Sequence, residues 1–419
     1  MTDFQSLRIN GDRLMQRIED LATIGPHEGT GSCRLALTDE DRDGRDLVVT
    51  WMKDLGLEIT IDGIGNVIAT RPGILDGPPT LTGSHIDTVA TGGRYDGNLG
   101  VLAGIEMIET LVENDVSTRY PVGVAFFTDE EGARFPPDML GSLVYVGGLA
   151  LEQALEVEGI DGAILGEELD RIGYRGAAPC PGIPPRAFIE LHIEQGPLLE
   201  DEGITIGAVT GVQGISWTEY SIKGQSNHAG TTPMHLRHDA GYVAARIATE
   251  ARDITERMGG RQVATVGRMQ FQPDLVNVVA REAQLTVDLR NTDESLLANA
   301  ENQMKSCISS LEESEGVTID SRSLARFEPV VFDTEVVDII SETCSQLGHS
   351  SMTMPSGAGH DAQMLARVCP TGMIFVPSQN GISHNPSEHT DREDLIAGAN
   401  VLLQSMLTLD AKDLPGVEQ

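Results

Sequence analysis

Lysine is scarce in this chain: four lysines stand beside 25 arginines, and the 29 basic residues face 64 acidic ones. The formal net charge is therefore −35 at pH 7. A protein that binds nucleic acid needs a basic surface to neutralise phosphates, and this composition offers none. We therefore expect a small-molecule partner and no nucleic acid.

Cysteine is also sparse: the five copies are scattered, odd in number and never spaced as Cys-x-x-Cys. This spacing supports neither a disulfide framework nor a thiolate zinc site, and it favours a reducing compartment. Long apolar runs are missing as well, since no stretch approaches the roughly 18 residues of a membrane span and the first residues lack the apolar core of a signal peptide. The sequence predicts a cytoplasmic protein without membrane contact.

The residues that are abundant indicate a soluble α/β enzyme. Aromatic residues make up only 4% of the chain, whereas 40% of the residues are hydrophobic and 46 are glycine. Periodic apolar segments punctuated by glycine are typical of such enzymes. A length of 419 residues exceeds one compact core, so the chain should form two domains or one domain with a large insertion.

Strand and helix patterns alternate in the first half of the chain and again near its end. There the predicted strands are 57–70, 80–86, 122–128, 187–193 and 372–376, and the main helices are 97–112, 336–347 and 392–409. A separate α+β pattern lies between them, with strands at 215–223, 264–270 and 284–290 and helices at 237–258 and 294–313. We predict an α/β catalytic domain with a mixed, largely parallel sheet flanked by helices, formed by residues 1–210 and 328–419, and an inserted α+β domain at 211–327.

Two polar residues near the end of the second predicted strand are candidate ligands. His85 and Asp87 lie two positions apart and leave a strand on the same face, so Asp87 could orient a metal-bound imidazole. Asp96 follows within a Gly-rich turn, where its carboxylate could bridge two ions. Taken singly, His85 could instead be a hydrogen-bonded structural residue, and Asp96 a turn or helix cap.

Three consecutive acids, Asp129, Glu130 and Glu131, end the strand 122–128. Adjacent carboxylates repel one another unless a cation lies among them. One could then bind metal while its neighbour accepts a proton from water. A solvated acidic turn is the alternative on a surface this acidic.

Two further histidines complete the set of candidate ligands. Alternation in strand 187–193 places His192 on the same face as Glu190 and Glu194. His384 lies in a loop after strand 372–376, where α/β folds place functional groups. Either could singly be structural. Together with His85, Asp96 and Glu131 they form a mixed nitrogen and oxygen set that suits Zn²⁺, Mn²⁺, Co²⁺ or Ni²⁺ better than Mg²⁺ or Ca²⁺.

The order of the motifs around these residues resembles the hydantoinase/carbamoylase amidases of the M20 metallopeptidase family. Seven blocks carry the resemblance along nearly the whole chain: GSHIDTV, GGRYDGNLGV, TDEEGARF, HIEQGPLLE, SNHAGTTPM, GAGHDAQ and NGISHNPSEHT. The resemblance implies two metal ions bridged by Asp96, with His85, Glu131, His192 and His384 as the other ligands. It also implies that Glu130 is the general base.

The implied reaction is hydrolysis of a linear ureido or amide C–N bond. We expect an N-carbamoyl-L-amino acid as the substrate, released as L-amino acid, ammonia and carbon dioxide. Allantoate, ureidoglycolate and β-ureidopropionate are alternatives in the same class, and an aminoacylase or dipeptidase of the wider family is another. A metal-free binding protein would have lost ligands, and none of the five is lost here.

The inserted domain corresponds in the resemblance to a lid that also forms a homodimer. There His228 is expected to reach the partner subunit's site and stabilise the developing oxyanion. The resemblance also assigns substrate binding to Gln195, His228, Asn277, Arg290 and the backbone of Gly359. Arg290 could clamp a substrate carboxylate, although a salt bridge to Asp288 is the alternative that the residues leave open.

Overall fold

The structure, a computed structural model, describes residues 4–412. The chain divides into two compact units. The first unit runs to Gly211 and resumes at Val331, and the second unit is Val212–Val330. Within residues 4–412, no helix is long and apolar enough to cross a membrane.

The first unit contains most of the helices and one large sheet. Before residue 213 the helices are α1 (Gly11–Ala22), α2 (Asp39–Asp54), α3 (Asn98–Glu113), α4 (Leu140–Tyr145), α5 (Leu151–Leu155), α6 (Leu165–Ile172) and α7 (Leu198–Glu202). The strands of the same stretch are β1 (Pro26–His27), β2 (Gly31–Ser32), β3 (Glu58–Ile61), β4 (Val67–Arg71), β5 (Thr80–His85), β6 (Val122–Phe127), β7 (Ala187–Ile193) and β8 (Ile206–Val212).

The remaining elements follow in chain order. The second unit contributes β9 (Gly214–Lys223), α8 (Ala240–Met258), β10 (Val263–Gln272), β11 (Glu282–Asn291), α9 (Glu294–Glu315) and β12 (Thr318–Phe327). After it come β13 (Val330–Val331), α10 (Thr334–Leu347), β14 (Ser351–Ser356), α11 (Asp361–Leu365), β15 (Thr371–Val376) and α12 (Arg392–Ala411).

The large sheet is parallel at its centre and antiparallel at its edges. Its strand order is β13-β8-β15-β7-β5-β6-β4-β3, with β14 paired to β8. The pairs β15–β7, β7–β5 and β5–β6 are parallel, whereas β8, β4 and β3 join antiparallel. The predicted mixed, largely parallel α/β fold is confirmed. The carboxyl ends of the four central strands therefore meet at one edge.

The central strands are buried because helices cover the sheet. Every residue of β5, β6, β7 and β15 is buried. Helices α3 and α12 pack on these strands and on each other. Because both faces of these strands are buried, their sequences are continuous apolar runs and do not alternate between apolar and polar residues.

The second unit is a four-stranded antiparallel sheet with two helices on one face. Its strand order is β10-β11-β9-β12, and α8 and α9 pack against it. The alternation predicted for β11 is present, since Leu285, Val287 and Leu289 are buried and join the core formed with the two helices.

The strand prediction needs two corrections. The segment 57–70 is not one strand but the antiparallel pair β3–β4, because Asp62 accepts backbone hydrogen bonds from Ile64 and Asn66 and closes a turn. Strand β12 was not predicted, because most of its residues are exposed and lack an apolar alternation. Its pairing with β9 is an edge contact through the backbone.

Candidate metal centre

Five predicted ligands gather at the carboxyl edge of the central strands in the first unit. His85 is the last residue of β5 and His192 is the last but one of β7. Glu131 follows β6, Asp96 precedes α3, and His384 follows β15. The carboxyl ends of parallel strands lie at the same edge of a sheet, so residues far apart in sequence meet there.

Asp96 lies between two groups of side chains, and each of its oxygens faces a different group. Its Oδ1 is 3.2 Å from Nε2 of His192 and 3.6 Å from Nε2 of His85. Its Oδ2 is 3.5 Å from Nε2 of His384, which in turn is 3.3 Å from Oε2 of Glu131. The ligand atoms of each group lie within 4.8 Å of one another. One carboxylate can thus contact both groups.

The ring orientation of the two buried histidines is set by backbone carbonyls. Nδ1 of His85 is 2.9 Å from the carbonyl oxygen of Asp87, and Nδ1 of His192 is 2.8 Å from that of Ile193. With the proton on Nδ1, each ring leaves its Nε2 unprotonated within 3.6 Å of Oδ1 of Asp96, as metal ligands require.

The Asp87 side chain does not take the predicted role of orienting His85. Its Oδ1 is 3.9 Å from Nδ1 of His85. The carboxylate instead accepts from the backbone N–H groups of Glu130 and Glu131, each at 3.3 Å. Asp87 therefore holds the acidic loop after β6 next to the end of β5.

The acidic residues of this site are buried, and the protein does not supply a hydrogen-bond donor for each of their oxygens. Oε1 of Glu131 is buried and has no hydrogen-bond partner among the described residues. Burial raises the pKa of Glu131 and of Glu130 well above the usual value for a glutamate. A divalent cation would compensate these charges, and the nitrogen and oxygen donors present suit one. The residues therefore fit a metal centre.

The absence of a side chain at Gly97 leaves room for the His85 ring. A Cβ atom at this position would lie 2.4 Å from Cε1 and Nε2 of His85, and the φ angle of Gly97 is +65°. The backbone N–H of Gly97 also donates to Nε2 of His192 at 3.1 Å. A larger residue would therefore displace one of the candidate ligands.

Two of the predicted substrate-binding residues also lie in the first unit. Gln195 donates through Nε2 to Oδ2 of Asp96 at 2.8 Å, so its amide reaches the candidate bridging carboxylate. Gly359 lies in the loop between β14 and α11, close to the side chain of Met139.

The other three predicted substrate-binding residues belong to the second unit. His228 pairs with Val278 in an isolated bridge, and the N–H of Ala229 donates to the carbonyl of Asn277 at 3.0 Å, so His228 and Asn277 are neighbours. Arg290 forms the alternative salt bridge, with Nη2 2.9 Å from Oδ2 of Asp288.

Sequence reasoning did not assign a role to Glu388 in the NPSEHT segment. Its carboxylate accepts from the N–H groups of Tyr95 and Asp96, at 3.0 and 3.2 Å, and from the hydroxyl of Ser383 at 3.1 Å. Burial and the charge of Asp96 raise the pKa of Glu388 to about 7. The only sequence signal was a glutamate four residues after a candidate ligand, which is too common to be informative.

A third group of possible ligands was also not predicted. Glu190, His192 and His360 are buried with their ligand atoms within 4.8 Å of one another. Glu190 already accepts from the Ser84 hydroxyl at 2.6 Å and from the N–H of Ala362 at 2.8 Å. These contacts hold α11 against β7 and leave Glu190 little capacity for an ion.

Comparison with known proteins agrees with this geometry. Residues 81–408 match the model of peptidase family M20/M25/M40. The chain belongs to the M20 family. It is similar to N-carbamoyl-L-amino-acid amidohydrolases from Rhizobium meliloti and Geobacillus stearothermophilus, each 39% identical over 96% of this chain, with 97% and 99% of the relative covered.

A solved structure places the chain in one branch of the M20 family. An amidase of the hydantoinase/carbamoylase family from Burkholderia multivorans superposes with a TM-score of 0.95 at 42% identity, covering 98% of this chain and all of that one. The predicted membership of this branch is confirmed, as is the predicted enzyme class, an amidohydrolase acting on C–N bonds other than peptide bonds. The M20 family is metal-dependent, in agreement with the candidate ligand groups.

Proposed function

We propose that this chain hydrolyses the carbamoyl group of N-carbamoyl-L-amino acids, using two divalent ions per subunit. The observation that carries the proposal is the carboxylate of Asp96, whose oxygens face two separate groups of ligands. The 39% identity with two N-carbamoyl-L-amino-acid amidohydrolases supports the choice of substrate.

The ligands divide into two sets that share Asp96. His85 and His192 would hold one ion, and Glu131 and His384 the other. The mixed imidazole and carboxylate donors suit Zn²⁺, Mn²⁺, Co²⁺ or Ni²⁺. When bound, the ions supply Lewis acidity and lower the pKa of a water molecule.

Glu130 is placed to act as the general base. Its Oε2 is 3.4 Å from Nε2 of His85, so the carboxylate lies beside the ligands without being needed as one. Burial raises the pKa of Glu130 above the usual value for a glutamate, and a general base works best when its pKa lies near the operating pH. It would take the proton from water and pass it to the leaving nitrogen. One water is consumed, and L-amino acid, ammonia and carbon dioxide are formed.

The hydrogen bonds to the His228 ring leave its Nε2 as the donor. Its Nδ1 accepts from the backbone N–H groups of Gly230 and Thr231, at 3.0 and 3.2 Å. Neutral imidazole must then carry its proton on Nε2, where the exposed edge can stabilise an oxyanion. In this proposal His228 serves the site of the partner subunit in a homodimer.

The remaining substrate contacts would recognise the amino acid part. Arg290 would bind the α-carboxylate, with Asp288 holding its guanidinium in position. Gln195, Asn277 and the backbone of Gly359 would bind the remaining polar groups of the substrate.

Exposed apolar residues support the proposed homodimer. Met234, Leu236, Leu275 and Val276 of the second unit are between 57% and 106% exposed. Large apolar side chains that are left exposed on a domain are candidates for burial in an interface. In the proposal the second unit is both the lid and the dimerisation domain.

The test is a substrate panel on metal-reconstituted protein. Ammonia release would be measured from N-carbamoyl-L-amino acids, allantoate, ureidoglycolate and β-ureidopropionate, with N-acyl amino acids and dipeptides assayed for amine release. We expect the highest kcat/KM on an N-carbamoyl-L-amino acid. Highest activity on another ureido compound would revise the substrate, and activity on dipeptides alone would overturn the proposal. Metal content by plasma mass spectrometry should reach two ions per subunit.

A further inference from the structure

Glu388 is a buried carboxylate that joins two loops of the candidate metal centre. It lies four residues after His384 and is 2% exposed. Its Oε1 accepts from the N–H groups of Tyr95 and Asp96, so it binds the backbone of the residue that faces both ligand groups. No direct contact with substrate is needed for this arrangement.

The hydroxyl of Ser383 extends the connection to the Asp96 side chain. Ser383 Oγ is 2.9 Å from Oδ2 of Asp96 and 3.1 Å from Oε2 of Glu388. Glu388 therefore contacts the backbone of Asp96 directly, and it is linked to the carboxylate of Asp96 through the Ser383 hydroxyl. Ser383 also precedes His384, so the same contacts restrain the loop that carries a ligand of the second group.

Gly93 leaves the space that this carboxylate occupies. A Cβ atom on Gly93 would lie 2.1 Å from Oε1 and 2.2 Å from Cδ of Glu388. The φ angle of Gly93 is outside the left-handed region, so the backbone itself would accept alanine. The glycine is required here by the position of Glu388 and not by the turn.

We propose that Glu388 is a positioning residue that sets the geometry of the metal centre by holding Asp96 and Ser383. The inference rests on the proposed two-ion site. Groups that orient metal ligands typically change metal affinity by about 10- to 100-fold when they are removed. Glu388 would act on both ions, because Asp96 belongs to both groups.

Two substitutions of Glu388 separate hydrogen bonding from charge. Glu388→Ala removes all the acceptors and should weaken metal binding about 10- to 100-fold. Glu388→Gln keeps one oxygen for the two N–H groups, and its amide can donate to Ser383, so it should bind metal within a few-fold of the parent protein. If Glu388→Gln loses as much affinity as Glu388→Ala, the proposed acceptor role is wrong.

The readout is metal binding rather than turnover. Apo full-length protein would be titrated with Co²⁺ against a chromophoric chelator, and the visible absorption of bound Co²⁺ would report ligand geometry. We expect Glu388→Ala to show both the weaker affinity and an altered spectrum. An unaltered spectrum with unaltered affinity would overturn the inference.

Asp410 offers a matched control. Its carboxylate also accepts from two successive N–H groups, those of Arg119 and Tyr120, at 2.6 and 2.9 Å. These residues precede β6, at the opposite end of the strand from the metal centre. Asp410→Ala should reduce stability but leave the Co²⁺ affinity and spectrum unchanged. An equal loss of affinity in Asp410→Ala would show that general destabilisation explains the effect.

Gly93→Ala provides a second route to the same result if Glu388→Ala does not fold. The new methyl group should displace the Glu388 carboxylate and weaken Co²⁺ binding to a similar extent. Unchanged binding in Gly93→Ala would contradict the inference. Failure of the parent protein to bind Co²⁺ would instead overturn the proposed metal centre, so the two failures are distinguishable.

Discussion

The side-chain amide of Gln195 donates to Oδ2 of Asp96 across 2.8 Å. Gln195 Nε2 is also 3.4 Å from Nε2 of His384. The residue expected to bind substrate thus lies directly beside the candidate bridging carboxylate. Its contribution to substrate binding and its contribution to metal binding can be separated, because Ser383 Oγ also lies 2.9 Å from the same oxygen of Asp96.

Gln195→Leu should raise KM about 10-fold, the cost of roughly one hydrogen bond to the substrate. Metal content should stay at two ions per subunit, because Ser383 continues to orient Asp96. Steady-state kinetics and plasma mass spectrometry would measure the two quantities. Loss of metal with an unchanged KM in the remaining active protein would assign Gln195 to the metal centre instead.

Gly97→Ala should remove metal binding, because the added Cβ would lie 2.4 Å from the His85 ring. Gly29→Ala is the matched control: its φ angle is +64°, close to the +65° of Gly97, but no atom lies within 4 Å of its Cβ position. Gly29→Ala should lose about 1 kcal/mol of unfolding free energy from backbone strain, and Gly97→Ala should lose more because its Cβ also clashes with His85. Only Gly97→Ala should lose metal in a dialysis assay, and metal loss in both would assign the effect to strain.

Glu130→Gln should lower kcat by about 10²- to 10⁴-fold, the usual contribution of a general base. Metal content should be unchanged, since the two ligand groups do not include Glu130. Single-turnover ammonia release on fully metal-loaded protein would measure the effect. A variant with near-parent activity would show that another group accepts the proton.

His228→Ala should lower kcat by about 10²- to 10³-fold if its Nε2–H stabilises an oxyanion. Mixing His228→Ala subunits with Glu130→Gln subunits should restore part of the activity, because a mixed dimer would contain one site with both residues intact. Subunit exchange would be verified with tagged chains. No recovery in dimers shown to be mixed would contradict a site shared between subunits.

The candidate metal ligands show how far local pattern predicts a site. His85 ends one apolar strand, Glu131 and His384 follow two others, and the ends of parallel strands meet at one edge. The convergence of these residues was therefore predictable once strand order was assumed. The position of Gly97 against His85 was not predictable. A glycine-rich turn has the same sequence pattern whether or not another side chain fills the space beside it.

Contacts between distant residues were beyond sequence reasoning. Glu388 and the backbone of Asp96 are 292 positions apart, and no periodicity links them. Asp87 was expected to orient His85, but its carboxylate binds the amides of Glu130 and Glu131. Both contacts depend on how separate elements pack against one another in the folded chain.

The sequence by itself determined the α/β class, the types of ligand atom and the edge of the sheet at which they gather, because burial patterns and strand ends are local properties of the chain. Only the tertiary structure decided which oxygen of Asp96 faces which histidine, and that Glu388 and Gln195 support this residue. Those relationships arise from side chains brought together by folding, where hydrogen-bond geometry selects one partner among many of similar chemistry.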